Sequence, residues 1–539
     1  MVTMPDEFHA QVQGSSTAGN GLFATKDIPA GGLIFRKTRP LIGVLDIGHL
    51  ADTCSNCFVW TQDHSLLEPT DVPKEVKACT GCQVLRYCSK KCQSQSWKRH
   101  HKHECSVLTK APTPHLLPQA VRATMQITRM RESGVMAEDD WEGLVKLDSH
   151  YETVESMGGE RFETLQTFGM GAWQYSTPTP RSFSILDSQK MFARVLVNAL
   201  TLVSPSFDPM GICIDPIASV ANHSCDPNAV AVMDHPGLSF RALRSIKKGE
   251  EVFISYIDST EWFAMRQKLL KAKYHFTCRC SKCEHGPTLR EDQFAIRPKD
   301  LSKKWKRFAD DHVKESPELG NEEGCYVGPT PDDRRASILL ALAWDEIKQA
   351  QAYAFTPISL SAKIEKLEMG MRLHYQSKLF AITRQPWPQF RHELMVAKLS
   401  TSNMQDAAIA WMQAVKTYFL IDPVLYPQSF HPVRVVHVWT LALLTLYIVS
   451  DADSHPAFKG LVESCPSLPH VVYGLLREVA ENVGKSHGEG TKFAKVVTDK
   501  FEQMKMDTFG GDAMLERVMR DHLKDVWVGF RTVADWMEY

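Results

Sequence analysis

The sequence predicts an α+β multidomain protein with three parts. These are a β-rich core split by inserted segments, cysteine-rich metal-binding segments, and an all-α C-terminal region. Three observations carry that expectation. Two strand–turn–strand phrases of similar wording stand far apart, at residues 21–37 and 243–254. Seven of the 14 cysteines lie between Cys54 and Cys105, and three more between Cys278 and Cys283. Beyond residue 334, apolar residues recur at three- and four-residue spacing in one segment after another.

The first phrase begins a strand at Leu22-Phe23-Ala24, turns through Lys26-Asp27-Ile28-Pro29-Ala30-Gly31 and resumes at Leu33-Ile34-Phe35. The second turns through Leu243 to Glu251 and enters Val252-Phe253-Ile254. Two such pieces fit one sheet interrupted by inserted chain. Residues 119 to 200 read as mainly helical, with a Pro-containing break at Thr177 to Pro180, and strand-like text returns from Gly211 to Tyr256. Pro-rich text at Ala111 to Pro114 marks a linker, and Pro/Gly-rich breaks between 286 and 333 mark a boundary. Further on, Ala336 to Ala354, Met404 to Leu420, Val433 to Val449 and Val471 to Val483 have helical periodicity and suit stacked helical hairpins.

Composition narrows the class. At 539 residues with 43% apolar and 23% charged side chains, the chain is globular rather than largely disordered. Lys plus Arg (62) and Asp plus Glu (63) nearly cancel, so bulk charge points to no partner. The N-terminus lacks a basic stretch followed by an apolar run, so no signal peptide is expected. The most apolar stretch, Val435 to Val449, contains His437 and reads as too short to span a bilayer. Soluble intracellular chains keep their thiols reduced, so clustered cysteines point to metal rather than disulfides.

The ligand-type spacing is Cys54-x2-Cys57, Cys79-x2-Cys82, Cys88-x3-Cys92 and His101-x3-Cys105. Eight ligands suffice for two tetrahedral zinc sites. A CxxC turn brings two thiolates to one ion, and an x3 spacing in a helix puts both ligands on one face. His100 and His103 compete for the histidine position, and are expected as exposed histidines on a basic face. Cys278-x-Cys280-x2-Cys283 is a further three-thiol group. Cys213, Cys325 and Cys465 are read as small buried residues or free thiols.

Tyr87-Cys88-Ser89, Cys92, Trp97 and His101-Lys102-x-Glu104-Cys105 resemble a MYND zinc finger. The resemblance implies an interleaved pairing, with Cys54, Cys57, Cys88 and Cys92 on one zinc and Cys79, Cys82, His101 and Cys105 on the other. The loop between Cys57 and Cys79 is longer than that family leads one to expect. Six Lys/Arg against one Glu between Cys79 and Cys105 make a basic face. A solvated helix surface accounts for it, and nucleic-acid contact or the proline-rich peptide partner implied by MYND resemblance are the alternatives.

Gly19-Asn20-Gly21-Leu22-Phe23-Ala24, Asn222-His223-Ser224-Cys225-Asp226-Pro227-Asn228 and Ile254-Ser255-Tyr256 match, in order, three motifs of the SET domain of protein lysine methyltransferases. A MYND finger between the first two is the arrangement of the SET-and-MYND methyltransferase family, which this chain resembles. The resemblance divides the chain into an N-terminal SET part (1–50), the finger (51–108), a helical insert (119–200), the C-terminal SET core (201–260), a post-SET zinc segment (261–290) and a tetratricopeptide-like helical domain (330–539). It makes Cys225 the fourth ligand of Cys278, Cys280 and Cys283. It therefore implies three Zn²⁺, whose eleven thiolates would leave the loaded chain more acidic than its formal charge.

The same resemblance implies S-adenosylmethionine as cofactor, held by Asn20, Asn222 and His223, with Phe276 on the adenine. Asn198 and His150 match further cofactor positions, with a helix-surface histidine as the alternative for His150. Tyr256 and Tyr274 would line the lysine channel, and Tyr256 would also face the cofactor. Ala18 stands where relatives often carry a basic residue toward the cofactor carboxylate. The expected function is S-adenosylmethionine-dependent methylation of a histone or non-histone lysine. The alternative is an inactive zinc-binding adaptor that recruits partners through the finger and the C-terminal helices. Those helices are expected as either a peptide-binding superhelix or a lid over the core. A monomer without membrane attachment, in nucleus and/or cytoplasm, completes the expectation.

Overall fold

The computed structural model describes residues 6–16, 19–61, 75–110, 117–176, 183–286, 342, 359–377 and 382–538. Ala18, Cys325, the linker at 111–114, the break at 177–180, the breaks between 287 and 333, and most of the long loop after Cys57 lie outside the described residues. So does the predicted helix Ala336 to Ala354, apart from Leu342. The chain forms two compact units. The first holds Met1–Tyr256, Leu270–Thr277 and Gly484–Val496, and the second holds Ile257–Leu269, Cys278–Val483 and Val497–Tyr539.

Among the described residues the first unit holds, besides a two-stranded ribbon of β6 (Lys77–Ala78) and β7 (Arg86–Tyr87) in the finger, three small sheets. One has the order β1 (Glu7–Phe8), β4 (Leu33–Lys37), β12 (Gly237–Ala242) and β11 (Ala229–Asp234). A second has the order β10 (Asn222–His223), β13 (Glu251–Ile254), β3 (Asn20–Ala24) and β2 (Ala10–Gly14). The third joins β5 (Ile42–Leu45), β9 (Pro209–Ile214) and β8 (Leu200–Val203). The two distant phrases of the sequence therefore pair through β3 and β13, but they do not form one sheet, since β4 of the first phrase belongs to another. Glu251 and Val252 face Phe23 and Leu22 across β13 and β3, and Phe240 faces Phe35 across β12 and β4. The two turns also bridge, through Ile28 and Ile246. Leu22, Ile34, Phe35 and Phe240 are fully buried between these strands. Each such side chain is worth about 1.5–3 kcal/mol on leaving water, which holds the split halves together.

Chain inserted between the halves forms the finger and a helical layer. The helical layer comprises α3 (Gln119–Glu132), α4 (Glu138–Lys146), α5 (Tyr151–Met157), α6 (Gly159–Tyr175) and α7 (Ile185–Asn198), as the sequence predicted for 119–200. Ser184 starts α7 through a capping box with Asp187. The finger is not a separate bead. Its Phe58 and Val59 belong to the same buried cluster as Leu22, Phe35 and Phe240. Phe58 packs so tightly on Gly43 of β5 that a Cβ there would lie 2.5 Å from its ring.

The second unit is helical. Helices Leu360–Ser377, Trp387–Leu399, Met404–Lys416 and Pro432–Ser450 pack in chain order, with Trp387, Trp411 and Trp439 at 1% exposure or less. Trp411 donates its indole N–H to Thr445 Oγ1 at 2.9 Å, tying two of these helices together. One expectation is corrected here. The apolar stretch around His437 is not short: the helix runs Pro432–Ser450, 19 residues, long and apolar enough to cross a membrane. The helix begins at Pro432, a residue well accommodated in a helix's first turn. Val435, Val438, Trp439, Leu441 and Ala442 are buried within the unit, as in a core helix. Residues 484–496, assigned from sequence to the helical C-terminal domain, belong to the first unit.

Candidate active site and metal centres

None of the thirteen described cysteines is in a disulfide. Cys54, Cys57, Cys88 and Cys92 form one group, and Cys79, Cys82, His101 and Cys105 another, with the ligand atoms of each within 4.8 Å of one another. This is the interleaved pairing that the resemblance implied. Both CxxC knuckles fold alike. Phe58 and Gln83, each just after the second cysteine, take positive φ (60° and 58°) and donate N–H to the carbonyls of Cys54 and Cys79. Gly81 is required in its knuckle, because a Cβ there would lie 2.7 Å from Cys105 Sγ.

The donors fit zinc. Four thiolates about 2.3 Å from one ion would sit about 3.8 Å apart at the corners of a tetrahedron. Cys57–Cys88 (3.6 Å), Cys88–Cys92 (3.5 Å) and Cys79–Cys105 (3.8 Å) meet that spacing. Burial pushes the Cys105 thiol up to about 12. Burial also opposes ionisation of Cys79, but the N–H groups of Cys82 and Gly81 and the His101 ring bring it down to about 6. A cation at the centre removes that conflict by holding every sulfur as thiolate.

A single interrupted helix serves both groups. Ser89 caps α1 (Lys90–Ser96), which carries Cys92; a wide π turn, Trp97–His101, leads into α2 (Lys102–Lys110), which carries Cys105. His101 Nε2 lies 3.2 Å from Cys79 Sγ, and its Nδ1 faces Glu104 Oε1 at 3.3 Å. Glu104 also meets His100 Nδ1 at 2.9 Å and accepts from Gln126 of α3 at 3.1 Å. Burial opposes ionisation of Glu104, yet the His100 and His101 rings hold its pKa well below the carboxylate range. Glu104 thus fixes the ring orientation of a metal-binding histidine. The sequence reading missed this role, although Glu at i+3 from the ligand His is its visible signal.

Two expectations for this face are corrected. His100 is not exposed: it is 4% accessible and pairs with Glu104. His103 is half-buried. The basic face is also smaller than counted. Arg99 is half-buried, donates to Leu41 O, and is pushed down to about 9 by burial and by Arg39. Lys90, Lys91, Lys98 and Lys102 remain exposed.

Cys278, Cys280 and Cys283 in the second unit form a third group, their sulfurs within 4.8 Å of one another. Cys283 and Glu284 donate N–H to Cys280 O, closing the knuckle. Cys225 lies in the first unit and is 2% exposed. Of the cysteines outside the ligand sets, Cys213 and Cys465 are buried, as expected.

The predicted cofactor and lysine-channel residues form one chain of contacts. Asn222 Nδ2 donates to Asn20 O (3.0 Å) and to Glu251 Oε1 (2.7 Å). His223 Nδ1 accepts the Tyr256 N–H at 3.0 Å, which leaves its proton on Nε2, 3.2 Å from Cys225 Sγ. The His223 ring stands 5.2 Å from Tyr256 and 5.9 Å from Phe276. Tyr256 and Tyr274 pack with centroids 4.8 Å apart; Tyr274 donates to Tyr256 O, and Tyr256 donates to Ala221 O at 2.8 Å. Beside Phe276, the His275 ring lies 5.3 Å from His150. His150 precedes α5 with φ 50°, and its N–H donates to Asp148 Oδ1. It is therefore a turn residue rather than a helix-surface histidine. Asn198 reaches the same turn through Asp148 O at 2.7 Å.

Two residues in this region had no expected role. Glu251, 9% exposed, accepts from both Ser15 and Asn222. Asn228, 1% exposed, bridges to β13 by donating to Glu251 O and accepting the Phe253 N–H. The Asp-Pro-Asn end of the motif is thus a structural clasp, while its Asn-His beginning faces the site.

A family model for the SET domain matches residues 19–257. "SET domain and MYND-type zinc finger protein 6" of Schizosaccharomyces pombe is 33% identical over 273 residues, 51% of each chain. "Histone-lysine N-methyltransferase SMYD3" of Homo sapiens is 30% identical over 276 residues, 49% of this chain and 59% of that one. "Histone-lysine N-methyltransferase ASHR1" of Arabidopsis thaliana is 27% identical over 514 residues, 91% and 94% of the two chains. The aligned part thus spans only about half the length of the first of these curated relatives and three fifths of the second. Split sheets with a finger between their halves, and an Asn-His turn beside paired tyrosines, accord with this similarity to SET and MYND domain-containing proteins over about half of the chain.

Proposed function

We propose that the protein is a protein-lysine N-methyltransferase that uses S-adenosylmethionine and holds three structural zinc ions at its cysteine groups. The observation that carries the reading is the linked set Asn222, His223, Tyr256, Tyr274 and Phe276, which joins polar groups to a wall of aromatic rings. The family relatives named as lysine methyltransferases support it.

When bound, S-adenosylmethionine supplies a methyl group already activated on a cationic sulfur. The remaining work falls to the chain. Asn222 is fixed by Asn20 and Glu251, so its amide is oriented before any ligand arrives. His223 is locked as a neutral Nε2–H tautomer between Tyr256 and Cys225. Its Nε2–H points at Cys225 Sγ, 3.2 Å away, which fixes the ring from its second side. Phe276 offers a flat apolar face for the adenine.

The target amine poses the energetic problem. With an unperturbed pKa of about 10.4, roughly 0.1% of lysine is neutral near pH 7.4, a cost of about 4 kcal/mol. An aromatic channel beside a sulfonium charge lowers that pKa by desolvation and repulsion. Tyr256 cannot serve as the base, because burial, Tyr274 and Glu251 raise its phenol well above the usual value. It acts as a neutral hydroxyl that orients the amine or the methyl group. Tyr256→Phe should therefore lose at least about tenfold in turnover with unchanged zinc content, melting temperature and cofactor binding. A normal methylation rate on labelled proteome extract would refute the assignment. No observation favours the adaptor reading, since recruitment alone has no use for this polar–aromatic set.

A further inference from the structure

A second basin lies within the first unit and shares no lining residue with the site described above. Its cavity, about 620 Å³, is bounded by β4, β12 and the glycine-rich segment 484–492. That volume falls in the range of about 300–1,000 Å³ typical of small-molecule sites. Its lining is basic: Arg36, Lys37, Arg241, Lys485 and Lys492 stand against Asp234 and Glu489.

The partners of these groups decide which charges are available. Lys37 pairs with the buried Asp215 at 2.7 Å and Arg36 with Glu7 at 2.8 Å. Lys492 donates its Nζ to His235 O, and its backbone N–H goes to Asp234, which caps the helix that starts there. Arg241 differs. Its Nε donates to Lys485 O, and one terminal nitrogen donates to both Gly31 O (2.6 Å) and Gly484 O (3.0 Å). Three carbonyls hold the guanidinium without neutralising it, and Nη1 has no hydrogen-bond partner among the described residues. Gly488, at φ 104°, leaves that nitrogen open; a Cβ there would lie 3.1 Å from it. Lys485 packs its stem on Gly31, where a Cβ would lie 2.6 Å from the lysine Cβ, and makes no ion pair among the described residues. Burial and the nearby Arg36 lower Arg241 to about 10, which leaves it cationic at neutral pH.

A second observation marks the same cavity. His235 lines it at 6% exposure, and neither ring nitrogen has a hydrogen-bond partner among the described residues. Burial drops its pKa to about 3, so the ring is neutral and retains one donor and one acceptor. Unsatisfied buried polar groups cost about 1–3 kcal/mol each, which a polar ligand or water settled against the ring would relieve.

We propose that this cavity binds a small organic anion, with its anionic oxygens on Arg241 Nη1 and Lys485 and its apolar part against Leu33 and Pro29. Phosphate esters and polycarboxylates share the required chemistry. The test is calorimetric titration of the zinc-loaded full chain at low ionic strength, with inorganic pyrophosphate in one arm and citrate in the other. Saturable one-to-one binding of at least one probe is expected, and the better probe tells phosphate from carboxylate chemistry. Arg241→Gln should weaken it by about tenfold or more, and Lys485→Gln by about fivefold, with S-adenosylmethionine binding unchanged. Because Arg241 also ties down three carbonyls, Lys485→Gln separates charge from folding, and melting temperatures of both variants accompany the titrations. Absence of saturation below ~1 mM for both probes, or binding that neither variant weakens, overturns the proposal.

Discussion

Two buried carboxylates in the first unit do the same mechanical job with opposite electrostatics. Glu104 orients His101 of the finger, and Glu251 orients Asn222 of the candidate active site. Glu104 has two imidazoles and an amide around it. Glu251 has a hydroxyl and an amide, and no ion-pair partner among the described residues. The first carboxylate is balanced by its own chain. The second leaves a negative charge for something else to balance, and the cationic cofactor proposed for this site would do so. A structural centre and a ligand site can therefore use the same second contact, and the presence or absence of an internal counter-charge distinguishes them.

The comparison breaks most severely when the metal is removed. Structural zinc contributes on the order of 10 kcal/mol or more to small fingers. Here Phe58 and Val59 connect the finger to the buried cluster of the sheets. Chelation of the three ions should therefore lower the melting temperature of the whole first unit rather than unfold a detached module. Cys79→Ser, which removes one ligand of the fully buried set, should do the same at a smaller dose of chelator. Metal analysis together with circular dichroism during chelator titration checks both. A melting curve in which the sheets persist unchanged after zinc loss would separate finger from core.

Glu104→Gln comes next. It keeps the shape and removes the charge that His100 and His101 share, so zinc affinity at the Cys79 group should fall by about 10- to 100-fold, while the Cys54 group keeps its own. Competition with a chromophoric chelator resolves the two affinities. Equal loss from both groups would mean that Glu104 supports the finger's packing rather than His101.

The sequence made much of this legible, for identifiable reasons. Thiol ligands announce themselves by spacing, because two sulfurs reach one ion only from tight turns or one helix face. The pairing of β3 with β13 was legible because both halves carry a similar Gly-containing turn; that of β4 with β12 was not, since β12 lies outside both phrases. Glu104 and Glu251 were not legible as positioning groups. Burial is not written in a charged residue, and an acid beside a histidine or a Gly-Glu-Glu turn is most often solvated. His100 was misplaced for the same reason: six nearby basic residues suggested an exposed face, and the helix turned this one ring inward toward Glu104. The extent of the helix around His437 and the return of 484–496 to the first unit depend on tertiary packing that no local period records.

The smallest effect expected is at Glu251, and it tests the comparison most directly. Glu251→Gln retains an acceptor for Asn222 or Ser15 and removes the charge. If the carboxylate serves only to hold the amide, cofactor affinity should change little. If it also balances the ligand's positive charge, S-adenosylmethionine should bind about tenfold more weakly, roughly 1.4 kcal/mol, with zinc content unaltered. Added salt distinguishes the two further, because a long-range charge effect weakens with ionic strength while a hydrogen bond does not. Titrations of both proteins at two salt concentrations should then converge at the higher one. A salt-independent loss would mean that the hydrogen bond rather than the charge matters, and an unchanged affinity would leave Glu251 only the task of holding the amide.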